Sequence, residues 1–119
     1  MGTSNQNNYV NCVVMFKCGE SPEDILLLLK DIESSMGRTR EEKWGPRLID
    51  LDLLFYGNLI LGKKGLTLPH PEIQKRKFVL IPMSEIAENL VHPTLKKTIK
   101  ILLQESSDET VVKKLKSLI

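Results

Sequence analysis

From residue 9 to residue 18 apolar and polar side chains alternate, with Val10, Cys12, Val14, Phe16 and Cys18 on one face and Tyr9, Asn11 and Lys17 on the other. Period two predicts a strand with one buried face, blurred by Val13 and Met15. At Ser21 the spacing changes. Ser21 is placed as a helix N-cap, Pro22 as the first helical residue, and Asp24 where a capping box is completed. The helix is expected to run to about Met36, with Ile25, Leu28, Leu29, Ile32 and Met36 as its apolar stripe and Gly37 as its C-cap.

Residues 38–47, RTREEKWGPR, break every periodicity and read as a polar, basic loop with a Gly-Pro turn signal. Period two returns over 48–56, LIDLDLLFY, which predicts a strand ending at Gly57-Asn58, with a short second strand at Leu59–Leu61. Ile49, Leu51, Leu53 and Phe55 form its apolar face. Asp50 and Asp52 interrupt the other. Residues 66–88 are expected to be irregular and basic, with an apolar run from Phe78 to Ile81 stopped by Pro82. His92-Pro93-Thr94 is expected to introduce a helix through about Leu103 with Leu95, Ile99 and Leu102 inward, and a last helix is expected over 108–118.

Composition narrows the function classes. With 119 residues, 41% of them hydrophobic, the chain reads as a single domain over 1–119 with one core. Seventeen Lys and Arg oppose fifteen Asp and Glu, and a net charge of +2 argues against a dedicated nucleic-acid partner. No apolar run reaches a membrane span, and the polar opening MGTSNQNN is unlike a signal peptide, so a cytoplasmic protein without a membrane partner is expected. On a strand Cys12 and Cys18 share a face about 20 Å apart, beyond disulfide reach, and are expected to be buried small apolar residues in a reducing compartment.

The candidate chemistry centres on Asp50 and Asp52. Carboxylates at i and i+2 of a strand project to one side with Cα atoms about 6.6 Å apart, a spacing that lets them converge on one hard cation or bridge two. Mg²⁺ relies on one or two carboxylates plus substrate phosphates. The same residues also fit the solvated side of a half-buried strand, but two charges in so apolar a run oppose its strand propensity, which favours a functional reason. Arg38, Arg40, Lys43 and Arg47 lie upstream, with Lys63, Lys64, Lys75, Arg76 and Lys77 downstream. Arginine forks suit phosphate oxygens, although Glu41 and Glu42 also permit a locally paired, solvated charge run. Trp44 fits either a core plug or a ring that stacks on a heterocycle. His70, between Pro69 and Pro71, is rigidly directed and suits a phosphate contact, proton transfer or a turn cap. Two histidines, two separated cysteines and no C-x-x-C disfavour zinc, and no G-x-x-x-x-G-K-[ST] run is present to hold ATP.

Taken together, W44-G-P-R-L-I-D-L-D-L-L-F-Y-G57, then L-T-L-P-H70-P and K-R76-K-F78-V-L-I-P82, resemble the signature of the 6-hydroxymethyl-7,8-dihydropterin pyrophosphokinase family from about Tyr9 to Pro93. The resemblance implies transfer of a diphosphate from ATP to a pterin alcohol, with release of AMP, in folate biosynthesis. It also implies an α/β (α+β), ferredoxin-like fold in which helices pack on an antiparallel sheet. By position, Asp50 and Asp52 match the aspartates that bind two Mg²⁺ ions, and Arg38 and Arg40 match arginines of a mobile catalytic loop. Arg47, His70 and Arg76 match residues that grip the nucleotide phosphates. Glu33 matches a helix residue near the nucleotide, and Trp44 the tryptophan of the loop. Tyr9, Asn11 and Phe78 match pterin-pocket positions.

Lys43 stands where many members carry arginine, Lys30 where some carry glutamine, and Pro71 at a position that varies between tyrosine and proline. Members usually carry some forty residues before the Tyr9 region, so the chain is expected to be N-terminally truncated relative to the family and its sheet incomplete there. Another chain, or a fused folate-pathway enzyme, is the expected source of that portion. Two other readings stay open at this level. One is a non-catalytic nucleotide-binding remnant, and the other a basic RNA-binding domain, which gives Asp50 and Asp52 no role beside a polyanion unless metal intervenes.

Overall fold

The computed structural model describes residues 10–37 and 49–113, which belong to two compact units, residues 17–71 and residues 1–16 with 72–119. Among the described residues the secondary structure is α+β, helices with a two-stranded antiparallel sheet.

In the 17–71 unit, helix α1 spans Pro22–Gly37. Its start follows the sequence expectation: the Asp24 N–H donates to Ser21 Oγ at 3.1 Å and the Ile25 N–H to the Ser21 carbonyl at 3.0 Å, so one side chain satisfies an amide that the helix leaves orphaned. The apolar stripe is rotated from the expected one. Ile25 is buried and Leu29 and Ile32 are half-buried, but Leu28 and Met36 are exposed, and Glu33 takes a buried place instead. Residues 25, 29 and 33 follow i, i+4 spacing, so turning Glu33 inward moves Leu28 to the rim.

The expected strand 48–56 does not form among its described residues, 49–56. A strand needs a ladder, and here the polar backbone is satisfied otherwise: the Leu51 N–H donates to the Glu33 carboxylate and the Leu54 carbonyl accepts the His70 N–H. The alternation survives as burial, with Ile49, Leu51 and Leu53 half-buried and Asp50 and Asp52 exposed. A turn at 56–58 closes with the Leu59 N–H on the Tyr56 carbonyl at 3.0 Å, and the Tyr56 hydroxyl donates to the Glu20 carbonyl.

The short strand expected at Leu59–Leu61 lies two residues later. Strand β1 spans Leu61–Lys63 and pairs with β2, Leu66–Leu68, in the register Leu61 to Leu68, Gly62 to Thr67 and Lys63 to Leu66. Lys64-Gly65 is the two-residue loop, where φ of +83° at Gly65 suits a residue without a Cβ. Leu66 and Leu68 are buried and Thr67 is exposed, as period two requires. The Leu68–Pro69 peptide is cis.

In the other unit, residues 10–16 carry no regular secondary structure, nor do 17–19 beyond them. The strand expected there is absent: Val10, Val14 and Phe16 are exposed, as are Cys12 and Cys18, whose expected burial is therefore corrected. Alternation alone does not hold a strand, and among the described residues none pairs with this segment.

A 3-10 turn at Ile73–Lys75 leads into α2, Lys77–Ala87. Pro82 does not stop this element, contrary to expectation. Val79, Leu80 and Met83 lie at helical spacing and are buried, and this packing outweighs the hydrogen bond that Pro82 removes inside the helix. Helix α2 packs on α3, Ile99–Gln104, where Ile99 and Leu102 are buried.

The helix expected from Thr94 begins only at Ile99. The His92 ring Nδ1 accepts the Thr94 and Leu95 N–H groups at 3.2 and 3.0 Å, and the His92 carbonyl accepts the Lys96 N–H at 2.8 Å. Lys96 has φ of 61°, outside the right-handed helical region, so Leu95 stays exposed and Thr98 becomes the cap, its Oγ1 accepting the Ile101 N–H at 3.2 Å. No helix forms over 108–113, and the remainder of the expected last helix lies outside the described residues. Among the described residues no helix is long and apolar enough to cross a membrane.

Candidate functional site

In the 17–71 unit, four of the residues singled out in the sequence meet on one segment. Asp50 and Asp52 are exposed on either side of half-buried Leu51. The Leu51 N–H donates to Glu33 Oε2 at 2.6 Å, a short bond of the charge-assisted kind, and Glu33 is only 9% exposed. Three residues on, the Leu54 carbonyl accepts the His70 N–H at 2.9 Å. The segment is therefore fixed at two points, from α1 on one hand and from the end of the hairpin on the other, without belonging to a sheet. Leu51, Leu53 and Leu54 are half-buried along it, and the two carboxylates are exposed.

The donor set suits a hard cation: two carboxylates from alternate residues, all oxygen, exposed where waters and phosphate oxygens complete a shell. Among the described residues no three His, Cys, Asp or Glu side chains group together as a closed cage would require. Asp50 and Asp52 could thus hold Mg²⁺ shared with a ligand, whereas Glu33 is buried and bonded to the backbone.

The basic residues are less available than their number suggests. Lys63 Nζ lies 2.6 Å from Glu23 Oε2, and that hydrogen bond is the main reason the Glu23 carboxyl is held below its ordinary value. Lys75 lies 3.5 Å from Glu72. Both pairs are exposed and contribute little to stability, so this part of the run reads as a solvated charged face.

In the other unit, Arg76 caps the start of α2 through its carbonyl, which accepts the Val79 and Leu80 N–H groups at 3.0 and 3.1 Å. Its guanidinium lies 5.9 Å from the Phe78 ring centroid, within cation–π range, so these two residues orient each other. Asn11 is exposed on the irregular segment. Asp108 was not marked by the sequence reading. Its carboxylate accepts the Lys77 N–H at 2.9 Å and the Thr110 N–H and hydroxyl at 3.0 and 2.6 Å. These bonds, the Thr110 hydroxyl foremost, hold its pKa down to about 2. The Asp-x-Thr spacing was a local signal for such a turn, but the reach of 31 residues to α2 was not readable from it. Tyr9, Arg38, Arg40, Lys43, Trp44 and Arg47 lie outside the described residues.

Comparison with known proteins agrees with the motif reading. The family model described as 7,8-dihydro-6-hydroxymethylpterin-pyrophosphokinase matches residues 1–88. A 2-amino-4-hydroxy-6-hydroxymethyldihydropteridine pyrophosphokinase from Synechocystis sp. is 49% identical over 107 residues, covering 90% of this chain and 54% of the relative. The protein of the same name from Aquifex aeolicus is 39% identical over 106 residues, covering 89% of this chain and 66% of the relative. The folic acid synthesis protein FOL1 of Dictyostelium discoideum is 42% identical over 90 residues, which are 76% of this chain and 14% of that protein. The chain thus spans about half the length of the first of these relatives and two thirds or less of the others.

Proposed function

Because the chain belongs to the 7,8-dihydro-6-hydroxymethylpterin-pyrophosphokinase family, we propose that it serves ATP-dependent diphosphoryl transfer to 6-hydroxymethyl-7,8-dihydropterin in cytoplasmic folate biosynthesis. The observation that carries this reading is the exposed Asp50 and Asp52 pair flanking Leu51, whose N–H the Glu33 carboxylate holds, on a segment tied again to His70 at Leu54. In this proposal residues 1–119 belong to one ferredoxin-like domain, and association or fusion with another folate-pathway enzyme accords with a match that covers 14% of FOL1.

In the reaction, the pterin hydroxyl oxygen forms a bond to the β-phosphorus of ATP, the bond from that phosphorus to the α-phosphate oxygen breaks, AMP leaves, and the hydroxyl proton is released. Asp50 and Asp52 hold two Mg²⁺ ions, which when bound supply charge neutralisation on the phosphates and Lewis-acid activation. Arg47, His70 and Arg76 grip phosphate oxygens, and Arg38 and Arg40 stabilise the charge that develops on them. Trp44 serves the nucleotide, and Glu33 serves it by holding the Leu51 backbone. Tyr9, Asn11 and Phe78 hold the pterin, placing its hydroxyl in line so that orientation supplies much of the rate.

Phosphorus NMR of the chain with ATP, Mg²⁺ and the pterin alcohol tests this reading. The expected result is loss of the ATP signals with AMP and a new organic diphosphate appearing one for one, only when pterin is present. ADP with orthophosphate, AMP formation indifferent to pterin, or ATP left intact would each overturn it.

A further inference from the structure

We infer that Glu33 is a positioning residue, whose carboxylate fixes the Asp50–Leu51 peptide so that the side chains of Asp50 and Asp52 face a shared cation site. The inference rests on the assignment of those aspartates as cation ligands. It assigns Glu33 work through the backbone, distinct from contact with a nucleotide.

Three observations lead to it. Glu33 occupies the inward face of α1, with Ile25 buried and Leu29 and Ile32 half-buried on the same helix. A carboxylate taken so far from water is costly unless it accepts hydrogen bonds, and the Leu51 N–H at 2.6 Å is one such bond. Leu51 is the only residue between the two aspartates. Because the peptide unit is planar, anchoring the Leu51 N–H fixes the plane joining Asp50 to Leu51 and so restricts the backbone from which both aspartates project. Leu51 is half-buried and the aspartates exposed, and among the described residues no ladder enforces that alternation.

Ordering a loose backbone residue on cation binding weakens affinity by about tenfold or more. The variants E33M and E33Q separate the possible roles. Methionine keeps the length and removes the acceptor, whereas glutamine removes the charge and keeps an amide oxygen for the Leu51 N–H. Two readouts are used on the full chain: hydrogen exchange at the Leu51 amide, and electron paramagnetic resonance titration of Mn²⁺ in the presence of α,β-methylene-ATP.

E33M is expected to speed Leu51 exchange and weaken Mn²⁺ binding by about tenfold, while E33Q keeps amide protection and binds within about threefold of the native chain. D50A and D52A serve as the control for the underlying assignment. If they lose Mn²⁺ while E33M binds normally, the positioning role is overturned and the cation assignment stands. Should E33Q lose Mn²⁺ with Leu51 still protected, Glu33 acts by its charge and the inference also falls. Normal Mn²⁺ binding in both aspartate variants would remove the cation assignment and the inference with it.

Discussion

The His70 N–H donates to the Leu54 carbonyl across sixteen residues of chain, at 2.9 Å. The bond ties the histidine expected to contact phosphate to the segment carrying the expected cation ligands, and it is made by the backbone of His70. H70A keeps this N–H and is expected to change unfolding free energy by less than about 1 kcal/mol while weakening binding of an ATP analogue. H70P removes the N–H and is expected to destabilise by roughly 1–3 kcal/mol. Urea unfolding of both variants checks the pair, and equal stability would show that the tie contributes nothing.

His92 sets a pH dependence. Its ring is 4% exposed, its Nδ1 accepts two backbone N–H groups, and burial lowers its pKa from the ordinary 6.5. The unfolded chain therefore takes up the proton more readily than the folded one. The stabilisation is full above 6.5 and is lost as pH falls through the lower folded value. H92N supplies an oxygen for the same two amides and does not titrate, so it is expected to flatten the curve below 6.5. Asp108 acts in a separate window, its contribution present above 3.8 and lost as pH falls through about 2. Urea midpoints of the native chain, H92N and D108N against pH distinguish the two.

Ser21 is a cap with a measurable share in α1. S21A removes the acceptor of the Asp24 N–H and is expected to cost about 1 kcal/mol, whereas S21G costs only a few tenths. Chemical unfolding followed by circular dichroism reads both.

Local rules made the start of α1 legible: Ser21 and Pro22 each act within a few residues and set where it begins, while the helix runs through Gly37, the residue expected as its cap. Period two found the exposure of Asp50 and Asp52 but misread its cause, because alternation reports burial and not pairing. The strand at 9–18 failed for the same reason. Pro82 was read as a stop because the local penalty is visible in sequence and the packing of Val79, Leu80 and Met83 is not. Likewise nothing near His92 announced that its ring would take the amides that a helix from Thr94 needs. The resemblance singled out Glu33, Asp50, Asp52 and His70, but contacts spanning 16 and 18 residues, which join their segments, exist only in the fold.

The central claim, that Asp50 and Asp52 carry a metal-dependent ATP site, is tested most directly by calorimetric titration of α,β-methylene-ATP into the native chain, D50A and D52A, each with saturating Mg²⁺ and with chelator. The native chain is expected to bind in Mg²⁺ and to lose at least about thirtyfold in affinity with chelator, and each variant to lose as much in Mg²⁺. Binding by both variants within about twofold of the native chain would contradict the account.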